Sequence, residues 1–403
     1  MSLISSLFLL LCGAHFLGAL CTRVGLPALA GHMIAGAIIG PSVLGFVTPD
    51  SSLGAVSDIA VLIVVLTAGL EMRLQHVIDV LRDGTGSLLV GFFLPLVGGG
   101  AIALAFGVPP LPSLVVALCV AVTALPIALQ ILRSFQMLGT QIARVAVAGA
   151  LLADTIVFIA LGALISVAGG TTEQTWGTAA ALAIGKLLGL VAAIALAHWL
   201  CGRVAQLRRS REGTDPVLSM AGALSFALLF VLCLGAVSEL LGFHFAIGAF
   251  FAAMMLTSEL IGAHAFERLE QTCEVLTASL FGPLFLAFQG MQFHLQSLTH
   301  PGFVVVLVAG AIVLKLVSGY IVGRMLRMSR HDAWGVGTIM NAHGVMELVV
   351  ASIALKAGLI DAEVFSALLI VGLVTTMATP LMLKSWQNRA PVPAAASQSS
   401  RAR

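Results

Sequence analysis

Apolar runs of about twenty residues follow one another along this chain with only short polar interruptions, which is the length a helix needs to cross a hydrocarbon core of about 30 Å. Their centres fall near residues 12, 36, 61, 95, 122, 155, 188, 229, 251, 281, 313, 345 and 374. The pattern predicts an all-α polytopic membrane protein of about thirteen transmembrane helices. The opening Met-Ser-Leu-Ile-Ser-Ser lacks the basic region and small-residue cleavage site of a signal peptide, so the first run is expected to be retained as a span. The longest hydrophilic stretch, from Arg203 to Asp215, interrupts the pattern near the middle. It suggests one transmembrane domain over 1–388, with halves at about 1–202 and 217–388 joined by a basic loop at 203–216. The small, polar, proline-bearing segment 389–403 reads as a disordered tail.

Composition excludes a soluble domain: 59% of the 403 residues are hydrophobic and only 9% charged, and the mean hydropathy is +1.08. A net charge of +2 says little about partners, but the basic residues are placed asymmetrically. Arg23, Arg73, Arg82, Arg133, Arg144, Arg203, Arg208, Arg209, Arg211, Arg268, Arg324, Arg327, Arg330 and Lys384 all follow odd-numbered runs. Basic loops stay in the cytoplasm. The amino terminus is therefore expected outside and the carboxyl terminus inside, in the cell inner (plasma) membrane, with Lys356 alone against the rule. The same bias accounts for the Arg203 to Arg211 cluster, so the expected surroundings are the lipid bilayer and no nucleic acid. Cys12, Cys21, Cys119, Cys201, Cys233 and Cys273 lie in or beside apolar runs without C-x-x-C spacing and read as packing residues. No cofactor is expected.

Against this background a single charge within a span matters, because an ionisable group near the bilayer centre costs roughly 2.5 kcal/mol or more and usually faces a cavity or an ion path. Asp154 is alone in the run Val145 to Thr172, and Lys315 is alone between Val275 and Gly323. Ten residues separate Asp154 from Arg144 and nine separate Lys315 from Arg324. At 1.5 Å per residue both sit about 15 Å deep, near the midplane. Two spans also read as broken helices. In C-V-A-V-T-A-L-P-I-A-L-Q, Pro126 disfavours helix at Leu125 and removes a backbone donor. In T-I-M-N-A-H-G-V-M-E-L-V-V, Asn341, His343, Gly344 and Glu347 crowd a region that should be hydrocarbon. The two lie seven spans apart, an odd offset, as inverted repeats with one interrupted helix per half require.

For Glu347 the choice is open between touching an ion and capping the break. His343, His32 and His15 are more ordinary as interhelical hydrogen-bonding residues than as ligands. Lys186 sits in a span with no acidic neighbour in sequence. The pairs Gly36/Gly40, Gly185/Gly189 and Gly319/Gly323 have the spacing that lets helices approach closely.

Several ordered motifs carry a resemblance that runs along the whole membrane part. They are G-H-M-I-A-G-A-I-I-G-P-S-V-L-G from Gly31 to Gly45, L-T-A-G-L-E-M from Leu66 to Met72, A-V-T-A-L-P-I from Ala121 to Ile127, and G-F-H-F-A-I-G-A-F from Gly242 to Phe250. P-L-F-L-A-F-Q-G-M from Pro283 to Met291 matches in part, and M-N-A-H-G-V-M-E-L-V-V from Met340 to Val350 is the most specific. The chain resembles the second monovalent cation/proton antiporter family of bacterial sodium/proton and potassium/proton exchangers. The resemblance implies an elevator-type exchanger of the sodium/proton antiporter fold, usually a homodimer, around two crossed broken helices. It puts Asp154 at the ion-binding aspartate and Thr123 at the threonine of the first broken helix, the two residues that would hold an alkali cation. Lys315 falls at the charge-compensating basic position, and Asn341 and Glu347 in the second broken-helix motif. Four positions depart from the family pattern: Ala153 where electrogenic sodium exchangers have a second acid, His343 and Gln130 where arginine is common, and His32 where glutamate is common.

The function expected is secondary antiport of a monovalent cation, sodium or potassium, against protons. With one acid at the site, one proton per cation makes exchange electroneutral, unless Lys315 loses its proton as the cation binds. The four departures keep alternatives open: a proton-coupled exporter of an organic cation or small metabolite, or a non-transporting sensor. An enzyme is not expected, since no G-x-S-x-G serine occurs and Asp154 is the only aspartate deep in a span.

Overall fold

The computed structural model describes residues 2–71, 85–137, 139–168, 176–209, 220–294 and 300–388. Arg73, Arg82, half of the basic loop (210–216, with Arg211) and the tail 389–403 lie outside the described residues. Among the described residues all regular structure is helical. The helices are α1 (Leu3–Arg23), α2 (Ala28–Ile39), α3 (Ser51–Glu71), α4 (Thr85–Ala105), α5 (Pro110–Ala121), α6 (Leu125–Ser134), α7 (Gln141–Ala168), α8 (Trp176–Arg209) and α9 (Met220–Leu240). They continue with α10 (Phe245–Met255), α11 (Ser258–Ile261), α12 (Ala263–Leu276), a π turn (Thr277–Phe281), α13 (Gly282–Met291), α14 (Pro301–Met325), α15 (Arg330–Met340), α16 (Val345–Lys356) and α17 (Ala362–Asn388).

Nine helical stretches among the described residues are long and apolar enough to cross a bilayer, and the bent pair α15/α16, angled by 41°, makes a tenth. Every one of the thirteen run centres falls on a helix or at a break between two. The other three fall at α2, α5 and α10, which hold 12, 12 and 11 residues. At 1.5 Å per residue each is under about 20 Å long, short of a full hydrocarbon core by itself.

Small residues decide which helices touch. On α2 and α13 the backbones meet reciprocally: a Cβ on Gly36 would stand 1.8 Å from Ala287 O, and one on Gly290 would stand 2.0 Å from Met33 O. On α14, Gly319 and Gly323 take Gly337 and Ala333 of α15 at 2.3 and 2.7 Å in the same way. Two of the three glycine pairs therefore serve close packing. The third does not, since nothing lies within 4 Å of a Cβ on Gly185. Outward faces of α1 and α8 stay apolar and exposed, with Phe8, Phe16, Trp199 and Leu207 among them, as surfaces that meet lipid do.

Candidate functional site

The first interruption falls at Val122–Ala124, between α5 and α6. Val122 is extended (φ −61°, ψ 146°) and ends α5. This corrects the position expected from Pro126: Leu125 is already helical, and Pro126 occupies the first turn of α6, where its missing N–H would have had no helical partner in any case. The second interruption, Asn341 to Gly344, separates α15 from α16. Gly344 has φ 149° and ψ −121°, a backbone conformation that favours glycine, and a Cβ there would also displace Ile127 Cδ1, 2.0 Å away.

The two breaks are joined to each other. Ala124 N donates to Ala342 O at 2.8 Å, and Thr123 Oγ1 donates to Met340 O at 3.0 Å. His343, fully buried, places Nε2 3.3 Å from Val120 O and Nδ1 3.1 Å from Asn341 O. Thr376 Oγ1 of α17 donates to His343 O at 2.9 Å. Backbone groups released by the two breaks thus find partners in one another and in side chains, the condition for irregular backbone inside a membrane.

Lys315 reaches this junction from α14. Its Nζ donates to Ala121 O, the last residue of α5, and to Thr123 Oγ1 at 2.8 Å. The ammonium therefore sits at the carboxyl end of a half-helix, where the aligned peptide dipoles favour a positive charge. Asp154, on α7, and Glu347, in the first turn of α16, both feel Lys315 as their charged neighbour. Neither is hydrogen-bonded to it. Both oxygens of Asp154, both of Glu347 and Oδ1 of Asn341 are buried without a hydrogen-bond partner. Asn341 Nδ2 donates to Thr379 Oγ1 at 3.3 Å. The centre holds one satisfied cation and a set of buried oxygens that lack a donor. Such oxygens can take a proton or a cation, and leaving them bare costs about 1–3 kcal/mol each.

Asp154, Thr123, Lys315, Asn341, His343, Gly344 and Glu347 are brought together. Ala153 is buried beside Asp154 and adds no acid. His32 is elsewhere, and the side chain of Gln130 lies outside the described residues. Sequence reasoning missed Thr376 and Thr379. Their only trace is the run T-T-M-A-T from Thr375 to Thr379, three hydroxyls in one apolar span.

A cavity of about 290 Å³ approaches the junction from one face. Its wall includes His32, Thr67, Glu71, Glu274 and Thr277, and it ends at Ile127 and Val345, just past the two breaks. Toward the opposite face the same elements are tied down. Lys356, at the end of α16, pairs with Asp58 of α3, and Gln289 Nε2 of α13 donates to Ser352 Oγ of α16 at 3.3 Å.

A family model described as sodium/hydrogen exchanger, transmembrane, matches residues 6–387. The chain is 28% identical over 377 residues to the Na(+)/H(+)-K(+) antiporter GerN of Bacillus cereus, covering 93% of this chain and 94% of the relative. It is 25% identical over 387 residues to an Na(+)/H(+) antiporter of Enterococcus hirae, covering 95% and 98%. The glutathione-regulated potassium-efflux system protein KefC of Cronobacter sakazakii is 29% identical over 364 residues, 90% of this chain but 57% of that protein. The fold is similar to that of the sodium proton antiporter MjNhaP1 of Methanocaldococcus jannaschii at pH 8, with a TM-score of 0.70, 16% identity, and coverage of 95% and 96%.

Proposed function

This chain belongs to the sodium/hydrogen exchanger family, and from that premise we propose that it exchanges a monovalent cation, sodium or potassium, for protons by alternating access. The observation that carries the reading is the buried junction of the two breaks, where Asp154 and Glu347 have no hydrogen-bond partner and share one cationic neighbour, Lys315. Lys315 and Glu347 balance one another as a standing pair of charges. Asp154 is the exchanging group: it holds either a proton or the cation, with Thr123, Asn341 and the carbonyls of the breaks completing the cation's shell. Both loaded forms carry the same charge, so exchange is electroneutral. An unloaded Asp154 would leave one charge uncompensated in the membrane. At roughly 3 kcal/mol that suppresses empty crossing about a hundredfold, which couples the two fluxes.

The placement of basic residues supports an outer amino terminus and a cytoplasmic carboxyl terminus in the plasma membrane. On that orientation the cavity opens inward and the Lys356–Asp58 side is closed. Residues 1–388 act as one exchanger domain with halves at about 1–202 and 217–388, and the exposed apolar faces suit assembly as a homodimer within lipid. The test is a pH gradient held across proteoliposomes, challenged with sodium, potassium or lithium. One of the first two collapses the gradient in the wild type and fails to do so in Asp154→Asn. If none of the three moves protons in folded protein, exchange is refuted.

A further inference from the structure

A separate cavity, of about 420 Å³, lies where the end of α17 packs on the start of α15. Trp386 forms one wall: its indole stacks on His331, with ring centroids 4.4 Å apart, and its Nε1 donates to His331 O at 2.8 Å. Trp334 forms another, 44% exposed and packed on Tyr320 at 4.8 Å between centroids. Indole and phenol rings collect at the level of lipid headgroups, so they put the mouth of the cavity at the membrane surface. From Arg330 at the start of α15 the cavity extends to Thr338, eight residues along or about 12 Å. Leu316 and Met382 line it too, and Thr338 returns its hydroxyl to Trp334 O at 2.9 Å, so the deep end is apolar. Val313, Val317 and Leu381, neighbours along α14 and α17, are exposed as surfaces under acyl chains are.

The mouth is polar and carries positive charge. His331 Nε2 is buried without a hydrogen-bond partner, and Ser385 adds an exposed hydroxyl. Arg330 precedes His331 and Lys384 precedes Ser385, both of them exposed. The acid of the same turn does not answer them: Asp332 accepts from Ser329 Oγ at 2.8 Å and borders a different cavity that shares Trp386.

We propose that this cavity seats an anionic phospholipid. Its phosphate accepts from His331, with the imidazole proton on Nε2, and from the Ser385 hydroxyl, in the field of Arg330 and Lys384. The start of an acyl chain lies against Leu316, Trp334 and Met382. A zwitterionic lipid meets the same apolar wall but brings an ammonium group towards the two basic residues, so the choice between lipids is made by charge. The binding stands whether or not the chain exchanges cations.

Full-length protein carrying Trp176→Phe and Trp199→Phe keeps Trp334 and Trp386 as its two indoles. It is reconstituted in phosphatidylcholine with a minor fraction of phosphatidylglycerol whose brominated chains quench indole fluorescence on contact; phosphatidylcholine with the same chains is the control. From the quenching, phosphatidylglycerol is expected to be preferred at least about fivefold, and Arg330→Gln/Lys384→Gln and His331→Leu each to bring the preference below about twofold. Excess glycerol 3-phosphate, a headgroup without chains, is expected to leave the quenching unchanged. Equal quenching by the two lipids overturns the proposal, as does a preference that either cavity variant retains in full, or displacement of the lipid by glycerol 3-phosphate. The comparison of two lipids is made within one protein, so it decides even where a cavity variant does not fold.

Discussion

Asp154 and Glu347 are both buried and both lack a hydrogen-bond partner, yet on the proposed exchange reading their surroundings suit them to different tasks. Glu347 stands in the first turn of α16, where exposed peptide N–H groups supply partial positive charge, and it packs against the backbone of α17 at Gly372. It is the better place for a standing negative charge opposite Lys315. Asp154 is in the middle of a 28-residue helix, with no helix end to hold its charge, and so depends on what binds it. Glu347→Gln therefore leaves Lys315 unbalanced, and cation-driven proton flux in proteoliposomes should fall about a hundredfold even though Asp154 is intact. Flux within about twofold of wild type would show that Glu347 only caps the helix, with Lys315 balanced in another way. These charged residues were legible in the sequence because an isolated charge in an apolar run has few bland explanations. Thr376 and Thr379 were not. A threonine in a helix can return its hydroxyl to the preceding turn, as Thr375 does to Val371 O at 2.7 Å, so its type says nothing about a second task.

The breaks themselves were legible as elements, though not to the residue. Polar crowding pointed to the second one at Gly344, and the helix is interrupted over Asn341 to Gly344. Pro126 pointed to the first, but it lies in the first turn of α6, where its missing N–H needs no helical partner, and the chain departs from helix earlier, at Val122–Ala124, where Thr123 and Ala124 bond across to Met340 and Ala342. That departure depends on a partner distant in sequence, which no local pattern contains. Gly344→Ala would force a strained φ and push Ile127 aside, a cost of about 1–3 kcal/mol that should lower the melting temperature of the purified protein by several degrees. An unchanged melting temperature would mean that the break relaxes freely. One residue without a sequence rationale also finds one here. Lys356, the exception to the positive-inside pattern, pairs with Asp58. Lys186 brings its Nζ over Gly242 in the turn from α9 to α10, 3.1 Å from where a Cβ would lie. Exposed ion pairs contribute about 0–1 kcal/mol, so on the proposed exchange reading the Lys356–Asp58 pair holds α16 to α3 only weakly, as a carrier that opens there would require.

At the scale of the whole molecule, a cavity among the described residues leads toward the junction from one face, polar contacts tie the elements together toward the other, and Asp154 lies buried at the junction. Hydropathy alone revealed the membrane class and the succession of apolar segments. Which segments pack through glycine, and that a cavity forms beside His32, emerge only when distant helices meet. The charge balance at the junction predicts that a potassium diffusion potential imposed with an ionophore leaves the initial rate of sodium-driven exchange unchanged. A rate that follows the voltage would mean that Lys315 gives up its proton during the cycle. The most direct measurement is the apparent KM for the transported cation as a function of pH, from initial rates in proteoliposomes without a membrane potential. A proton and a cation competing for Asp154 predict that KM rises by about tenfold for each unit of pH lost on the acid side while the maximal rate stays constant. A KM independent of pH across that range, in protein that still carries the cation, would contradict exchange by competition at a single carboxylate.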